Sequence, residues 1–258
     1  MTDLLSDSVI MVTGGGSGLG AAVSDRLVDF GYRVSRTVRK SEMRIRETDR
    51  DITVIAEMRN LASLKAAVRD TVERFGRLDA VVFNAAVQGI ASLDDITAQA
   101  WEEVVDVNMT APLFLAQAAV QHLRATRGVF VGISSVHAHR GAEGRTMYAA
   151  SKAALEGMMR GLSAELAGDG IRAVSLCLGP FDSPALRAGA SRFYPDGTGD
   201  EAVAQFIQTQ PLGQIGNPAQ IGDLISFLLS PAGSFISGTT LTIDGGLTAH
   251  LPVPRVRS

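Results

Sequence analysis

The feature that most restricts the fold is a repeated alternation. Short runs of consecutive apolar, β-branched residues are followed by longer stretches with helical spacing. Strands are expected at residues 9–13, 33–38, 52–56, 78–84, 128–134 and 171–178, and helices at 18–30, 62–75, 97–123 and 148–167. In the cores Val9-Ile10-Met11-Val12, Ala80-Val81-Val82-Phe83 and Val129-Phe130-Val131 every position is apolar, so these strands need cover on both faces. Strands of that kind joined through helices form parallel sheets with right-handed crossovers. The expectation is a single α/β domain over residues 1–258. Its sheet should be a Rossmann-type, doubly wound parallel one of about seven strands flanked by helices.

At 258 residues the chain is long for one small domain and short for two, and no low-complexity linker divides it. Two segments break the rhythm. Residues 40–51 hold four basic and four acidic side chains, which suits a solvated helix or loop. Residues 182–198 mix Pro, Gly, Ser, Phe193 and Tyr194 without a period, so residues 182–210 are expected to supply a substrate-binding loop or lid. Charge excludes other classes: a net charge of −3 offers no basic field for nucleic acid. The most apolar run, 111–120, is broken by Gln117 and is too short to span a membrane. Asp3 and Asp7 stand where a signal peptide needs basic residues, and the single cysteine, Cys177, suits a reducing compartment. A cytoplasmic location is expected.

The first strand runs into Thr13-Gly14-Gly15-Gly16-Ser17-Gly18-Leu19-Gly20 and then a helix. Glycines there let the backbone turn sharply and approach a pyrophosphate, while the helix N-terminus offers unpaired N–H groups and partial positive charge. A glycine run alone could be only a tight turn; strand before and helix after favour a dinucleotide site. No Gly-Lys-Ser/Thr follows, so this is not a triphosphate-binding P-loop.

Tyr148 and Lys152 are four residues apart at the start of a helix and project from one face. Ser135 lies at the C-terminal end of a strand, the edge at which open parallel sheets bind ligands. An ammonium near the phenol is expected to lower its pKa and make Tyr148 an acid or base near neutral pH. Ser135 can donate to a carbonyl oxygen as charge develops on it. None of the four histidines has ligand spacing with a cysteine or a carboxylate pair, so no metal is expected.

From about Val9 to Leu247 the chain resembles the short-chain dehydrogenases/reductases. The resemblance rests on Gly14, Gly18 and Gly20 in the first turn, Asn84-Ala85-Ala86, Asn108, and Ser135 followed by Tyr148 and Lys152. Ile243-Asp244-Gly245-Gly246 resembles the family's C-terminal strand end. It implies an NAD(P)-dependent oxidoreductase that interconverts a ketone or aldehyde and an alcohol by hydride transfer. Tyr148 would exchange the proton, Lys152 would hold the nicotinamide ribose and tune Tyr148, and Ser135 would orient the substrate oxygen. Asn108 would hold a water linking Lys152 to solvent. The cofactor would contact Gly14, Ser17, Gly18, Leu19, Gly20, Arg39, Glu57, Met58, Asn84, Ala85, Ala86, Tyr148, Lys152, Gly179 and Ser183. The chain departs from the family at Ala86 and Phe83, and at Val174 and Leu178, where an Asn and a Pro are usual.

NAD-selective sites carry an Asp or Glu at the end of the second strand, on the ribose hydroxyls. Here the resemblance puts Val38 there, followed by Arg39. Valine leaves room for a 2′-phosphate and Arg39 can contact it, with Arg36 or Lys40 adding to the field, so NADP is expected, with NAD as the other option. Arg36 is an awkward residue for a buried strand. The expected partner is a small-molecule carbonyl or alcohol, a 3-ketoacyl thioester being one option. A sugar or polyol dehydrogenase is the alternative, and a non-catalytic nucleotide-binding scaffold is the reading outside enzymes. Intact Ser135, Tyr148 and Lys152 speak against the last.

Cys177, Met158, Met159 and Trp101 read as packing residues. His137 and His139 follow Ser135 closely enough to touch substrate, while His122 and His250 carry no signal. Small residues (Ala116, Ala119, Ala150, Ala154, Gly157, Gly161) on more than one helix face leave room for a partner helix. By resemblance a homo-oligomer is expected, a tetramer with two-fold symmetry.

Overall fold

In the computed structural model, which describes residues 7–39, 45–193 and 199–250, seven strands run parallel in one sheet. They are Val9–Val12 (β1), Arg33–Val38 (β2), Asp51–Ile55 (β3), Ala80–Phe83 (β4), Val129–Ser135 (β5), Arg172–Leu178 (β6) and Thr240–Ile243 (β7). Their order is β3-β2-β1-β4-β5-β6-β7. The order reverses between β1 and β4, and a crevice opens there beyond the C-terminal ends of the strands.

Helices cover both faces, as the uninterrupted apolar runs require. The helices Gly18–Asp29 (α1), Leu61–Phe75 (α2), Ala98–Val105 (α3), Ala111–Thr126 (α4) and Thr146–Leu166 (α5) come first. Pro184–Phe193 (α6), Gly199–Gln208 (α7) and Ala219–Leu229 (α8) follow. Alternate strand residues split between two cores. Met11, Val81 and Phe130 pack with Leu64 of α2, Leu115 of α4 and Leu155 of α5. Ile10, Val82 and Val131 pack with Leu27 of α1 and Ile225 of α8. Each such side chain, fully buried, contributes about 1.5–3 kcal/mol.

The expected helix over 97–123 is one rod with a fault in it: a π-helical turn, Asp106–Thr110, joins α3 to α4. Pro112 has no N–H to donate to the carbonyl four residues back, that of Asn108, and the ladder loosens there. Residues 182–193 are more regular than expected, while 194–198 lie outside the described residues. Pro184 starts α6, and Ser183 Oγ accepts from Leu186 N at 3.2 Å, a serine cap followed by proline at the first helical position. Residues 45–50 are an exposed loop that touches the sheet through a bridge from Glu47 to Ile52, whereas Lys40 lies outside the described residues.

Candidate active site

A cavity of about 910 Å³ lies at the C-terminal ends of β1, β4, β5 and β6, bounded on the far side by Pro184, Leu186 and Gly189 of α6 and Phe206 of α7. All of the residues expected to hold a cofactor line this one cavity, and so does Ser135; Asn108 does not.

The glycine turn is fixed by steric necessity. Gly14 has φ +65°, and a Cβ on Gly20 would lie 2.2 Å from the Gly14 carbonyl oxygen, so α1 starts closer to β1 than any side chain allows. Ser17 makes no capping bond through its side chain and the first turn of α1 carries no carboxylate, which suits the pyrophosphate of a dinucleotide. Thr13 and Asn84 lace the crevice: Thr13 Oγ1 accepts from Asn84 N at 2.9 Å and Ala85 N at 3.0 Å, and Asn84 Nδ2 donates to Thr13 O at 2.8 Å. Gly179 is equally constrained, since a Cβ there would meet Asp244 Cα at 2.6 Å. The turn therefore keeps its glycine although the usual Asn and Pro are absent.

Ser135 ends β5, Tyr148 and Lys152 share a face of α5, and Ser135 and Tyr148 line the same cavity, with the serine hydroxyl acting to lower the phenol pKa. Lys152 Nζ donates to Ile133 O at 2.7 Å and lies 5.5 Å from the Tyr148 ring centroid. Burial lowers the Lys152 ammonium from 10.5 to about 8. The expectation that Tyr148 would be pulled down needs correcting. Burial pushes the phenol up, opposed by the Arg145 cation and the Ser135 hydroxyl, while Lys152 donates its hydrogen bond to a backbone carbonyl.

Asn108 is buried and saturated as a donor: Nδ2 bonds Val87 O at 2.8 Å and Ser151 Oγ at 3.0 Å, and Oδ1 accepts from Val87 N at 2.9 Å. Arg36 also differs from expectation. It is held inside β2 by Asp51 and Asp25 and does not line the cavity. His137 lines the cavity with its ring edge-on to Tyr148 at 6.1 Å, and burial and the Arg145 charge lower its pKa. His139 does not reach the cavity; its Nε2 lies 3.0 Å from Glu156 Oε2. Trp101, expected to be a packing anchor, is 41% exposed.

Three residues at the site had not been singled out. Arg145, just before α5, lines the cavity and donates to Gln88 Oε1 at 2.8 Å. Gln88 itself carries no local signal. Glu156 did carry one, since it lies four residues after Lys152 on the same helix face. With His139 and Cys177 it brings a carboxylate, an imidazole and a thiol within 4.8 Å, from three separate elements that no linear spacing would join.

A family model described as enoyl-(acyl carrier protein) reductase matches residues 14–248. A short-chain dehydrogenase/reductase of a Cladobotryum species is 32% identical over 257 residues, covering 94% of this chain and 96% of that one. The chain belongs to the short-chain dehydrogenase/reductase family. Levodione reductase of Leifsonia aquatica is 30% identical over 259 residues, 96% of this chain and 97% of its own. A crystal structure of levodione reductase superposes with a TM-score of 0.85 at 29% identity, covering 95% of this chain and 99% of that one. The aldohexose dehydrogenase of Thermoplasma acidophilum gives 0.90 at 25% identity, covering 98% of each. This short-chain dehydrogenase/reductase is an enzyme that uses a nicotinamide cofactor to interconvert carbonyl and alcohol groups. Among the described residues no helix is long and apolar enough to cross a membrane.

Proposed function

We propose that the enzyme is an NADP(H)-preferring reductase of a small or medium-sized, partly apolar ketone or aldehyde, with Tyr148 as its acid–base group. The observation that carries this reading is the gathering of Ser135, Tyr148 and Lys152 in the same cavity as the glycine turn, with Lys152 Nζ 5.5 Å from the Tyr148 ring centroid. Val136, Phe181, Leu186 and Phe206 give the cavity its apolar wall. The bound nicotinamide supplies or accepts the hydride. Ser135 Oγ–H bonds the carbonyl oxygen, and Tyr148 passes its proton to that oxygen as negative charge builds there. Arg145 and Ser135 steady the tyrosinate left behind, and Lys152 holds the ribose. Any water that Asn108 contributes must bond to its oxygens, because both amide protons are spent.

The direction of the Tyr148 shift has a consequence for pH. A phenol held above its usual value keeps its proton at neutral pH and serves carbonyl reduction, whereas alcohol oxidation needs the tyrosinate. Oxidation rates should therefore climb toward alkaline pH while reduction does not; initial rates in both directions across pH test this.

The cofactor preference follows from the end of β2. Val38 is buried against Gly16, and Arg39 lines the cavity with no carboxylate in the position that would repel a 2′-phosphate. Comparing kcat/KM for NADPH and NADH decides it. Arg39→Ala should cost NADPH about 10- to 100-fold, the worth of charge-assisted hydrogen bonds, and NADH far less. A wild-type preference for NADH would overturn the assignment. A panel containing a cyclic diketone, a 3-ketoacyl thioester and an aldose separates the substrate classes.

Within the same reading, α6 and α7 form the lid over the substrate end. Four identical chains assemble through the stripe of Ala150, Ala154, Gly157 and Gly161 on α5, together with exposed Leu113 on α4. Light scattering at micromolar concentration tests the tetramer. The lone thiol, Cys177, is buried and suits a cytoplasmic setting.

A further inference from the structure

Glu156 is the buried acid for which the reaction has no use. It is 2% exposed and sits one turn beyond Lys152 on α5. A carboxylate at that depth is tolerated only when its oxygens are bonded. Both are: Ser134 Oγ donates to Oε1 at 2.6 Å, and His139 Nε2 lies 3.0 Å from Oε2.

These two partners bracket the turn that carries Ser135. Ser134 immediately precedes it, and His139 ends the one-turn 3-10 helix Val136–Ala138 that follows. Within the turn, Ser135 Oγ accepts only a long bond from His137 N at 3.3 Å, and His139 N and Arg140 N both fall on Val136 O. Glu156 thus ties both ends of the Ser135 turn to the helix bearing Tyr148 and Lys152.

We propose that Glu156 is a positioning residue that clamps the Ser135 turn onto α5 and so sets where the Ser135 hydroxyl stands relative to Tyr148. The inference rests on the proton-transfer role given above to Ser135 and Tyr148. Cys177, the third member of the nearby trio, does not compete for the carboxylate. Burial and the Glu156 charge push its thiol up to about 11. Both carboxylate oxygens face Ser134 and His139, which makes the cluster a brace across the Ser135 turn.

The test uses the full-length enzyme with NADPH and whichever ketone it reduces. Glu156→Leu should lower kcat by about 10- to 100-fold, the cost of displacing a reacting group by a fraction of an ångström to an ångström. Cofactor affinity, read from reduced-nicotinamide fluorescence, should not change. The pH profile of alcohol oxidation should move upward, because loosening Ser135 withdraws a hydroxyl that holds the Tyr148 pKa down. Glu156→Gln keeps an acceptor for Ser134 and should restore most of kcat. Ser134→Ala, which deletes one hydroxyl and serves if the leucine variant does not fold, should repeat the kcat loss and the pH shift in weaker form. Combined with Glu156→Leu it should be less than additive. An unchanged kcat, or kcat and cofactor affinity falling together with no pH shift, would overturn the clamp. So would loss of activity to a chelator with recovery on adding zinc. A wild-type enzyme inactive on the whole panel, or full activity in Tyr148→Phe, would instead strike at the underlying reading.

Discussion

Two buried cations lie in different parts of this molecule and are treated in opposite ways. Arg36, at the β2–β3 side of the sheet, is 2% exposed and bonds both oxygens of Asp51 at 2.6 and 2.8 Å. It also reaches Asp25 at 2.8 Å and Ala21 O at 3.3 Å. Lys152, at the β5–α5 side, is 3% exposed and donates to one backbone carbonyl. The carboxylate one turn further along α5, Glu156, spends its oxygens on Ser134 and His139. The difference teaches how the fold divides its labour. A cation that only holds strands together is neutralised, and its geometry is bidentate. Lys152, which on the proposed reading serves a ligand, has no carboxylate partner among the described residues, and burial lowers its pKa to about 8.

The largest effect expected from this contrast is on catalysis. Tyr148→Phe removes one hydroxyl from the side of the molecule built for charge. Turnover should fall by about 10²–10⁴-fold, the worth of a general acid, while the melting temperature hardly moves. Steady-state kinetics beside a thermal melt check both halves. A variant with near-native turnover would remove the reason for leaving Lys152 unpaired.

Next in size is a change on the structural side. Arg36→Met leaves Asp51 buried without its main partner, at a cost of about 3–5 kcal/mol, or on the order of 10 °C in melting temperature. Arg46, whose Nη1 is 3.3 Å from Asp51 Oδ2, can recover part of that. Replacing Asp51 as well, with Leu, should return much of the loss, because an apolar pair fills the space without an orphaned charge. Activity per folded molecule should be unchanged in both; a fall in kcat with intact stability would mean that Arg36 serves the cofactor after all.

The same contrast explains what the sequence made legible. The glycine-turn end of the cavity is built from backbone, and backbone needs leave contiguous marks: Gly14 and Gly20 are glycines because no Cβ fits, and both stand in one run. Ser135, Tyr148 and Lys152 were visible through their spacing. The start of α6 is also written locally, in Ser183-Pro184, although the mixed composition around that pair obscures the capping pattern. Arg36 could not be understood from β2 alone, since Asp51, the residue that makes it tolerable, belongs to the neighbouring strand. The sign of the Tyr148 shift was out of reach for a different reason. It depends on burial outweighing the two groups that oppose it, and burial is a property of the packed structure.

The smallest effect isolates the unpaired charge itself. In the unfolded chain Lys152 keeps its proton up to the ordinary value of 10.5, but in the folded protein only up to about 8. Below the lower value both states are protonated, and the burden of burying the charge is full and constant. Between the two values the unfolded chain binds more protons than the folded one, so raising the pH stabilises the fold. Above the upper value the burden is gone. Lys152→Met abolishes this titration. It also forfeits the bond to Ile133, but that loss is the same at every pH. The quantity to follow is therefore the melting temperature of wild type minus that of Lys152→Met, measured without cofactor from pH 7 to pH 10. It should be level to about pH 8 and then rise, whereas wild type minus Arg36→Met should stay flat across the window. If the Lys152 difference is flat as well, the ammonium is neutralised or solvated like any other, and the contrast with Arg36 disappears.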